Sequence, residues 1–403
     1  MVPSKGADPI SHSVPIRTLA LALAVVMFVM GADLNIVSPF LIDISRSFHV
    51  TLAATGWLVT AFAAGYTLAS PLAGWMSDRT GRLPTLLAGM IAFVVFETAS
   101  GLAPTLLTEA ASRALAGITA GAVSPVAYSL VGDVVPKPER PRVMAILSMG
   151  FSASTVAGVP LGLLLSTAVG WRGTLLAIAG ALAMSGIGLV LLLTRMSKIP
   201  AIPRQSSSRS ATELLLQTWP QLTASFMAFA AMGLVYTYLP TTLLRRGVPN
   251  TTWLMAVLAG YGLFNLIGNA IFGRLGESKG AATAVRIAQW IEISMLALLA
   301  LAAAWGSLAI AIAASWLFAA SQAYIPDLKA LAANVPIHWR GTSLALNNTA
   351  MYSGMMVGSA IANAVFHQWG FPLTASLGGV AIALGIASMH RRRRLAPRAI
   401  QGV

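Results

Sequence analysis

The sequence contains no cysteine, so disulfides and thiolate metal sites are excluded. Charge is nearly as scarce. Asp, Glu, Lys and Arg together make up 9% of the 403 residues, against about 25% in ordinary soluble domains. With 57% of its residues hydrophobic, the chain cannot cover itself with water-binding side chains, which excludes a soluble globular protein. Acids are scarcest, 12 against 26 basic residues, for a net charge of +14. The basic residues are scattered through short loops and form no long basic face, so no nucleic-acid partner is expected. Also missing are a Gly-x-x-x-x-Gly-Lys-Ser/Thr phosphate loop, a His-Glu-x-x-His helix and a Gly-x-Ser-x-Gly elbow. ATP-driven transport by this chain and intramembrane hydrolysis therefore have no support, and an enzyme is not expected. The histidines, His12, His49, His338, His367 and His390, stand apart at loops or ends, so neither a metal nor any other cofactor is expected.

What the chain has is apolar runs. Twelve are read as spans: 17–41, 52–76, 83–103, 106–131, 142–168 and 171–194, then 218–243, 252–275, 283–304, 307–331, 342–366 and 371–389. Each is close to the roughly 20 residues that cross a bilayer as a helix. Backbone groups in lipid must be satisfied internally, so helices are the natural form. The run beginning at Arg17 is too long for a cleaved secretory signal and reads as the first span. Twenty-one of the 26 basic residues fall on one side, at Lys5 and Arg17, Arg79 and Arg82, Lys137 to Arg142, Arg195 to Arg209, Arg274 to Arg286, Lys329 and Arg340, and Arg391 to Arg398. Arg46, Arg172, Arg245 and Arg246 fall on the other, and Arg113 lies inside a span. The positive-inside rule then puts both termini in the cytoplasm. The expected organisation is a six-span unit over 1–194, a polar linker over 195–217 around Ser206, Ser207, Ser208 and Ser210, a second six-span unit over 218–390, and a basic tail over 391–403.

Between the second and third spans stands Gly74-Trp75-Met76-Ser77-Asp78-Arg79-Thr80-Gly81-Arg82. Gly74 permits close helix approach, Asp78 can pair with a basic neighbour, Gly81 suits a tight turn, and Arg79 and Arg82 hold the loop at the membrane surface. A shift of 199 residues carries Gly74 onto Gly273, Asp78 onto Glu277 and Gly81 onto Gly280. That coincidence marks an internal duplication.

The loop resembles the signature Gly-x-Leu-Ala-Asp-Arg-x-Gly-Arg-Arg of the major facilitator superfamily, departing from it at Met76, Ser77 and Leu83. The resemblance implies an all-α membrane protein, twelve transmembrane helices arranged as two six-helix bundles, with substrate between them. It extends to Arg113-Ala114-Leu115-Ala116-Gly117 in the fourth span, where Ala116 replaces the family's glutamine. It extends also to the glycine series of the fifth span, Gly150, Gly158, Pro160 and Gly162, which is similar to an antiporter signature, followed by Gly170-Trp171-Arg172. Helix bending by itself accounts for such a series too.

An intramembrane charge is a site hypothesis by default. Asp33 and Arg113 lie at similar depth in their spans and are expected to pair. Burial favours the neutral acid and the arginine favours the charged one, so Asp33 could exchange a proton as the cavity opens and closes. The other reading is a permanent ion pair holding two helices together. Glu97 and Glu292 read as protonated packing residues at the periphery, and Glu109 as a solvated one near a span end. Asn35, Tyr236, Tyr238, Asn265, Asn269, Gln322, Tyr324 and Asn347 could face a ligand or hydrogen-bond between helices.

The expectation is a monomeric carrier of the cell or inner membrane, similar to the drug/proton antiporter and sugar-efflux branch. Protons would drive export of a drug, sugar or nucleoside, with multidrug resistance as one outcome. Proton-coupled uptake by a symporter or facilitator, or a non-transporting receptor or sensor, are the alternatives.

Overall fold

The computed structural model describes residues 16–136, 139–193, 211–335 and 340–395. Residues 195–210 of the 195–217 linker, Lys137 and the end of the basic tail therefore lie outside the described residues. The chain forms α1 (Ile16–Ser47), α2 (Leu52–Thr80), α3 (Arg82–Gly101), α4 (Leu106–Val134), α5 (Arg140–Ala153) and, after a π-helical turn at Ser154–Gly158, α6 (Val159–Leu193). The second half forms α7 (Ala211–Tyr236), α8 (Leu239–Arg245), α9 (Thr251–Lys279), α10 (Ala281–Trp305), α11 (Leu308–Ser321), a 3-10 turn at Gln322–Tyr324, α12 (Ile325–Ala333) and α13 (Arg340–Leu395). α7 begins inside the stretch read as linker, and α13 runs five residues into the stretch read as tail.

Among the described residues, ten helical stretches are long and apolar enough to cross a membrane. Two of them, Arg142–Leu192 and Thr342–His390, span 51 and 49 residues, twice what a bilayer needs. Both fold back on themselves, which gives twelve crossings. Gly170 breaks the first at φ 70°. Thr174 Oγ1 then donates to Gly162 O at 3.4 Å, although twelve residues of straight helix would separate them by about 18 Å. Gly370 breaks the second at φ 72°. Gly354 and Gly385, on either side of that break, both pack on the 224–227 stretch of α7. Positive φ at these turns is open to glycine with little strain.

The duplication is visible in the backbone. α2 and α9 each have 29 residues and start 199 positions apart. Thr51 caps the first by accepting from Ala54 N at 3.3 Å, and Asn250 caps the second by accepting from Trp253 N at 3.1 Å. Gly81 (φ 97°, ψ 152°) and Gly280 (φ 84°, ψ 141°) end them alike. Gly170 and Gly370 add a further matched pair, 200 residues apart.

α1 to α6 pack together and α7 to α13 pack together, the closest partners being α2 with α4 and α7 with α13. Small residues set these approaches: a side chain at Gly117 would strike the Phe62 carbonyl, and one at Gly354 the Phe226 carbonyl. The two bundles meet along α2 and α13, and along α9 against the π turn and α6. At the first seam, Tyr66 stacks on Tyr352 with ring centroids 3.4 Å apart. Thr60 shares a hydrogen bond with Ser359 (2.9 Å) and accepts from Asn363 Nδ2 (3.0 Å), while Tyr238 OH donates to Asn363 Oδ1 (2.9 Å).

Candidate functional site

A side chain as polar as arginine is tolerated in an apolar bundle only if its donors are met. Arg113 on α4 is 1% exposed, and its guanidinium donates through Nη1 to Asp33 Oδ1 at 2.7 Å and through Nη2 to Asp33 Oδ2 at 3.2 Å. This is the two-pronged carboxylate geometry that suits arginine. Nη1 also donates to Glu97 Oε2 on α3 at 2.9 Å, and Phe62 on α2 lies 4.8 Å beneath the guanidinium. Four helices thus converge on one ion cluster. Asp33 and Glu97 are both fully buried. Arg113 Nε and Glu97 Oε1 lack hydrogen-bond partners, so the cluster holds spare polar capacity.

Glu97 was expected at the periphery, as a packing residue. It instead faces inward, because the rotation of α3 about its axis turns it toward Arg113. Glu109 was expected to be solvated. It is fully buried, and Ser100 Oγ donates to both of its carboxylate oxygens at 2.8 and 2.9 Å. The end of α3 folds over the start of α4 and excludes water there.

α1 is placed by the glycines of the fifth span. Side chains at Gly150, Gly158 and Gly162 would strike Ala24, Ala32 and Ile36 of α1 in turn, and one at Gly31 would strike Ser154. The α1 backbone therefore lies directly on α5, the π turn and α6. Pro160 cannot donate to the carbonyl four residues back, at Val156, and that missing bond falls within the π turn. The turn also touches the other bundle: a side chain at Gly262 of α9 would strike Thr155. It thus lies between the Asp33 segment and α9.

At the loop after α2, Arg82 Nη1 donates to Ser77 Oγ at 2.6 Å, and Arg82 Nε pairs with Asp133 at the end of α4 at 2.9 Å. Asp133 was not singled out from the sequence as a partner of this loop; its position just before a loop with basic residues was the available signal. The surroundings of Gly74 and the side chain of Asp78 lie outside what the structure describes, and Arg79 is exposed. In the second copy Glu277 is exposed and Gly273 faces open space. The close approach there is at Gly276, whose added side chain would strike Asp327 of α12.

The residues considered for ligand binding are dispersed. Asn35 donates to Gly31 O on its own helix at 2.8 Å. Asn265 donates to Ala319 O at 2.9 Å, and Asn269 to Asn265 O at 3.1 Å. Asn347 accepts from Ser225 at 2.7 Å. Tyr238 stands at the seam between bundles. Tyr236 and Gln322 both adjoin Tyr261, with ring centroids 5.5 Å apart for the tyrosines and Tyr261 OH donating to Gln322 Oε1 at 3.1 Å. Tyr324 donates to Glu292 Oε2 at 2.9 Å. Among the described residues no group of three or more His, Asp or Glu could hold a metal ion.

Comparison with known proteins adds to this geometry. The family model for the Major Facilitator Superfamily matches residues 23–359. The inner membrane transport protein YdhP of Escherichia coli K12 is 26% identical over 387 residues, covering 94% of this chain and 97% of YdhP. The chloramphenicol resistance protein of Streptomyces lividans is 27% identical, covering 92% and 95%. Among solved structures, a bacterial homologue of the human lysosomal transporter Spinster, inward-facing and unoccupied, has a TM-score of 0.69 at 17% identity, covering 92% of this chain and 95% of that one. The human organic anion transporter MFSD10 also gives 0.69 at 17%, covering 93% and 99%. At these identities the solved structures speak to the fold alone.

Proposed function

The chain belongs to the Major Facilitator Superfamily and is a multi-pass membrane transporter, not an enzyme, and on that premise we propose that it is a proton-coupled antiporter exporting a small organic compound. The observation that carries this reading is the cluster of Asp33, Glu97 and Arg113. One guanidinium faces two buried carboxyl groups, so the cluster is neutral only with one proton bound. Asp33 holds the fork of Arg113, while Glu97 keeps one oxygen unpartnered. Glu97 carries the proton in this conformation, and Asp33 takes its share when the arginine swings between the two. Opening the cavity to water lowers the cost of the second negative charge and releases the proton.

The bundles rock about the α2–α13 and π turn–α9 seams, with the substrate path between them. The π turn relays movement of α9 to the stretch of α1 that bears Asp33. By the positive-inside rule we read the loops at Gly81 and Gly280 as cytoplasmic, together with both termini. The loop from Gly74 to Arg82 latches the cytoplasmic end through the Arg82–Asp133 pair. We read the carrier as a monomer, with the substrate path between its own two bundles. The antibiotic named for the S. lividans relative supports an organic substrate of that size.

The test is purified protein in sealed liposomes enclosing a pH-sensitive dye. A pH gradient is imposed, and chloramphenicol, lipophilic cations, sugars and nucleosides are added in turn. Proton movement opposite to substrate movement, lost in Asp33→Asn and Glu97→Gln, is the expected result. Movement in the same direction would overturn antiport in favour of uptake by symport.

A further inference from the structure

Among the described residues, Glu109 and Glu292 are fully buried acids that the mechanism above leaves unused, and of the two Glu292, on α10, lies in the second bundle. Among the described residues, the ion pairs join Arg82 to Asp133 and Arg113 to Asp33 and Glu97. None reaches Glu292. Its Oε2 accepts from Tyr324 OH at 2.9 Å, Gln322 faces the same carboxyl group, and its Oε1 has no partner. One turn earlier on α10, Gln289 is buried with both amide atoms unpartnered. Most buried polar atoms in folded proteins have a hydrogen-bond partner, so a cluster of unpartnered ones here calls for an explanation. A carboxyl group that accepts from a tyrosine hydroxyl and keeps its other oxygen free has the chemistry to bind a proton.

A line of hydroxyl and amide groups leads away from Glu292. Gln322 accepts from Tyr261 OH at 3.1 Å, and Tyr261 adjoins Gly262, which abuts Thr155 of the first bundle. The Glu292 carboxyl is thereby connected to the seam that moves when the bundles rock. The groups facing it are Tyr261 from α9, Gln322 and Tyr324 from the 3-10 turn, and Gln289 from its own helix. Charged groups on neighbouring elements lie elsewhere: Asp327 beside Gly276, and Arg286 and His390 lining a cavity of about 220 Å³ with Trp290. Trp290 and Glu292 are two residues apart and occupy opposite faces of α10.

We propose that Glu292, held by Tyr324 and Gln322, is a second proton-carrying site, so that one transport cycle moves a proton through each bundle. This rests on the proton-coupled reading above. In the closed bundle the carboxyl holds its proton. When α9 moves off the π turn and admits water past Tyr261, the Glu292 O–H bond breaks, its electron pair stays on the carboxylate oxygen, and the proton passes to water as hydronium.

The test is infrared difference spectroscopy of the purified protein across a pH titration, following the protonated-carboxyl stretch. The expected result is a titrating band that Glu292→Gln abolishes and Asp33→Asn retains. A Glu292→Gln spectrum matching the parent at every pH would overturn the proposal, because Glu292 would then never change protonation. Tyr324→Phe provides a second reading should Glu292→Gln fail to fold: losing one donor to the carboxyl must shift the band frequency, and an unmoved band overturns the assignment. Failure of proton coupling itself reads out separately, as absence of substrate-driven proton flux in liposomes with the band intact. With coupling present, Glu292→Gln is expected to halve the protons moved per substrate.

Discussion

Glu97 Oε2 accepts from Arg113 Nη1 at 2.9 Å, and the same nitrogen donates to Asp33 at 2.7 Å. The two acids therefore lie less than two hydrogen-bond lengths apart across one cation. A proton can move between them without either leaving the guanidinium, which is the property a coupling site needs.

Removing the cation from this cluster should be severe. Arg113→Met leaves two buried carboxyl groups facing each other, and breaking a buried pair in this way costs about 3–5 kcal/mol. A lower unfolding temperature in detergent is expected, recovered in part by adding Asp33→Asn. A double variant no more stable than Arg113→Met would show that the acids do not sense the arginine.

The Arg82–Asp133 pair should behave differently. Its side chains are 25% and 34% exposed, and a pair so open to water contributes about 0.2–1 kcal/mol. Arg82→Ala is expected to leave the unfolding temperature nearly unchanged while slowing transport, with Asp133→Ala giving the same defect and the double variant no further loss. Additive defects would separate the two residues.

The glycines beneath α1 should tolerate no side chain. Gly158→Val must push Ala32 away, and overpacking of this kind costs about 1–3 kcal/mol. Gly188→Ala meets nothing within 4 Å and should be neutral in the same thermal assay. Equal effects would remove the close-packing account of the fifth-span glycines.

The seam of Thr60, Ser359, Asn363 and Tyr238 should hold the bundles closed at the end bearing Gly170. Because the chain has no cysteine, Ser359→Cys introduces a lone thiol at a fully buried position. Adding Asn363→Ala removes bonds to Thr60 and Tyr238 and is expected to raise the rate of maleimide labelling several-fold. An unchanged rate would mean that apolar contacts alone close the seam.

Much of this was written in the residue order. Scarcity of charge and the length of the apolar runs dictated a helical membrane protein, since unpaired backbone groups are too costly in lipid. The 199-residue offset dictated the duplication. Asp33 and Arg113 stood out because a charge inside a span demands a partner. Tertiary structure decided what sequence spacing cannot express, the rotation of each helix about its own axis. That rotation turned Glu97 toward Arg113, buried Glu109 under Ser100, brought Asp133 to Arg82 and drew Asn265 and Asn347 into bonds between helices. It also set Glu292 beside Tyr324, with no ion pair to it among the described residues. Which residues meet across helices depends on packing of surfaces contributed by distant parts of the chain, and no local pattern records it.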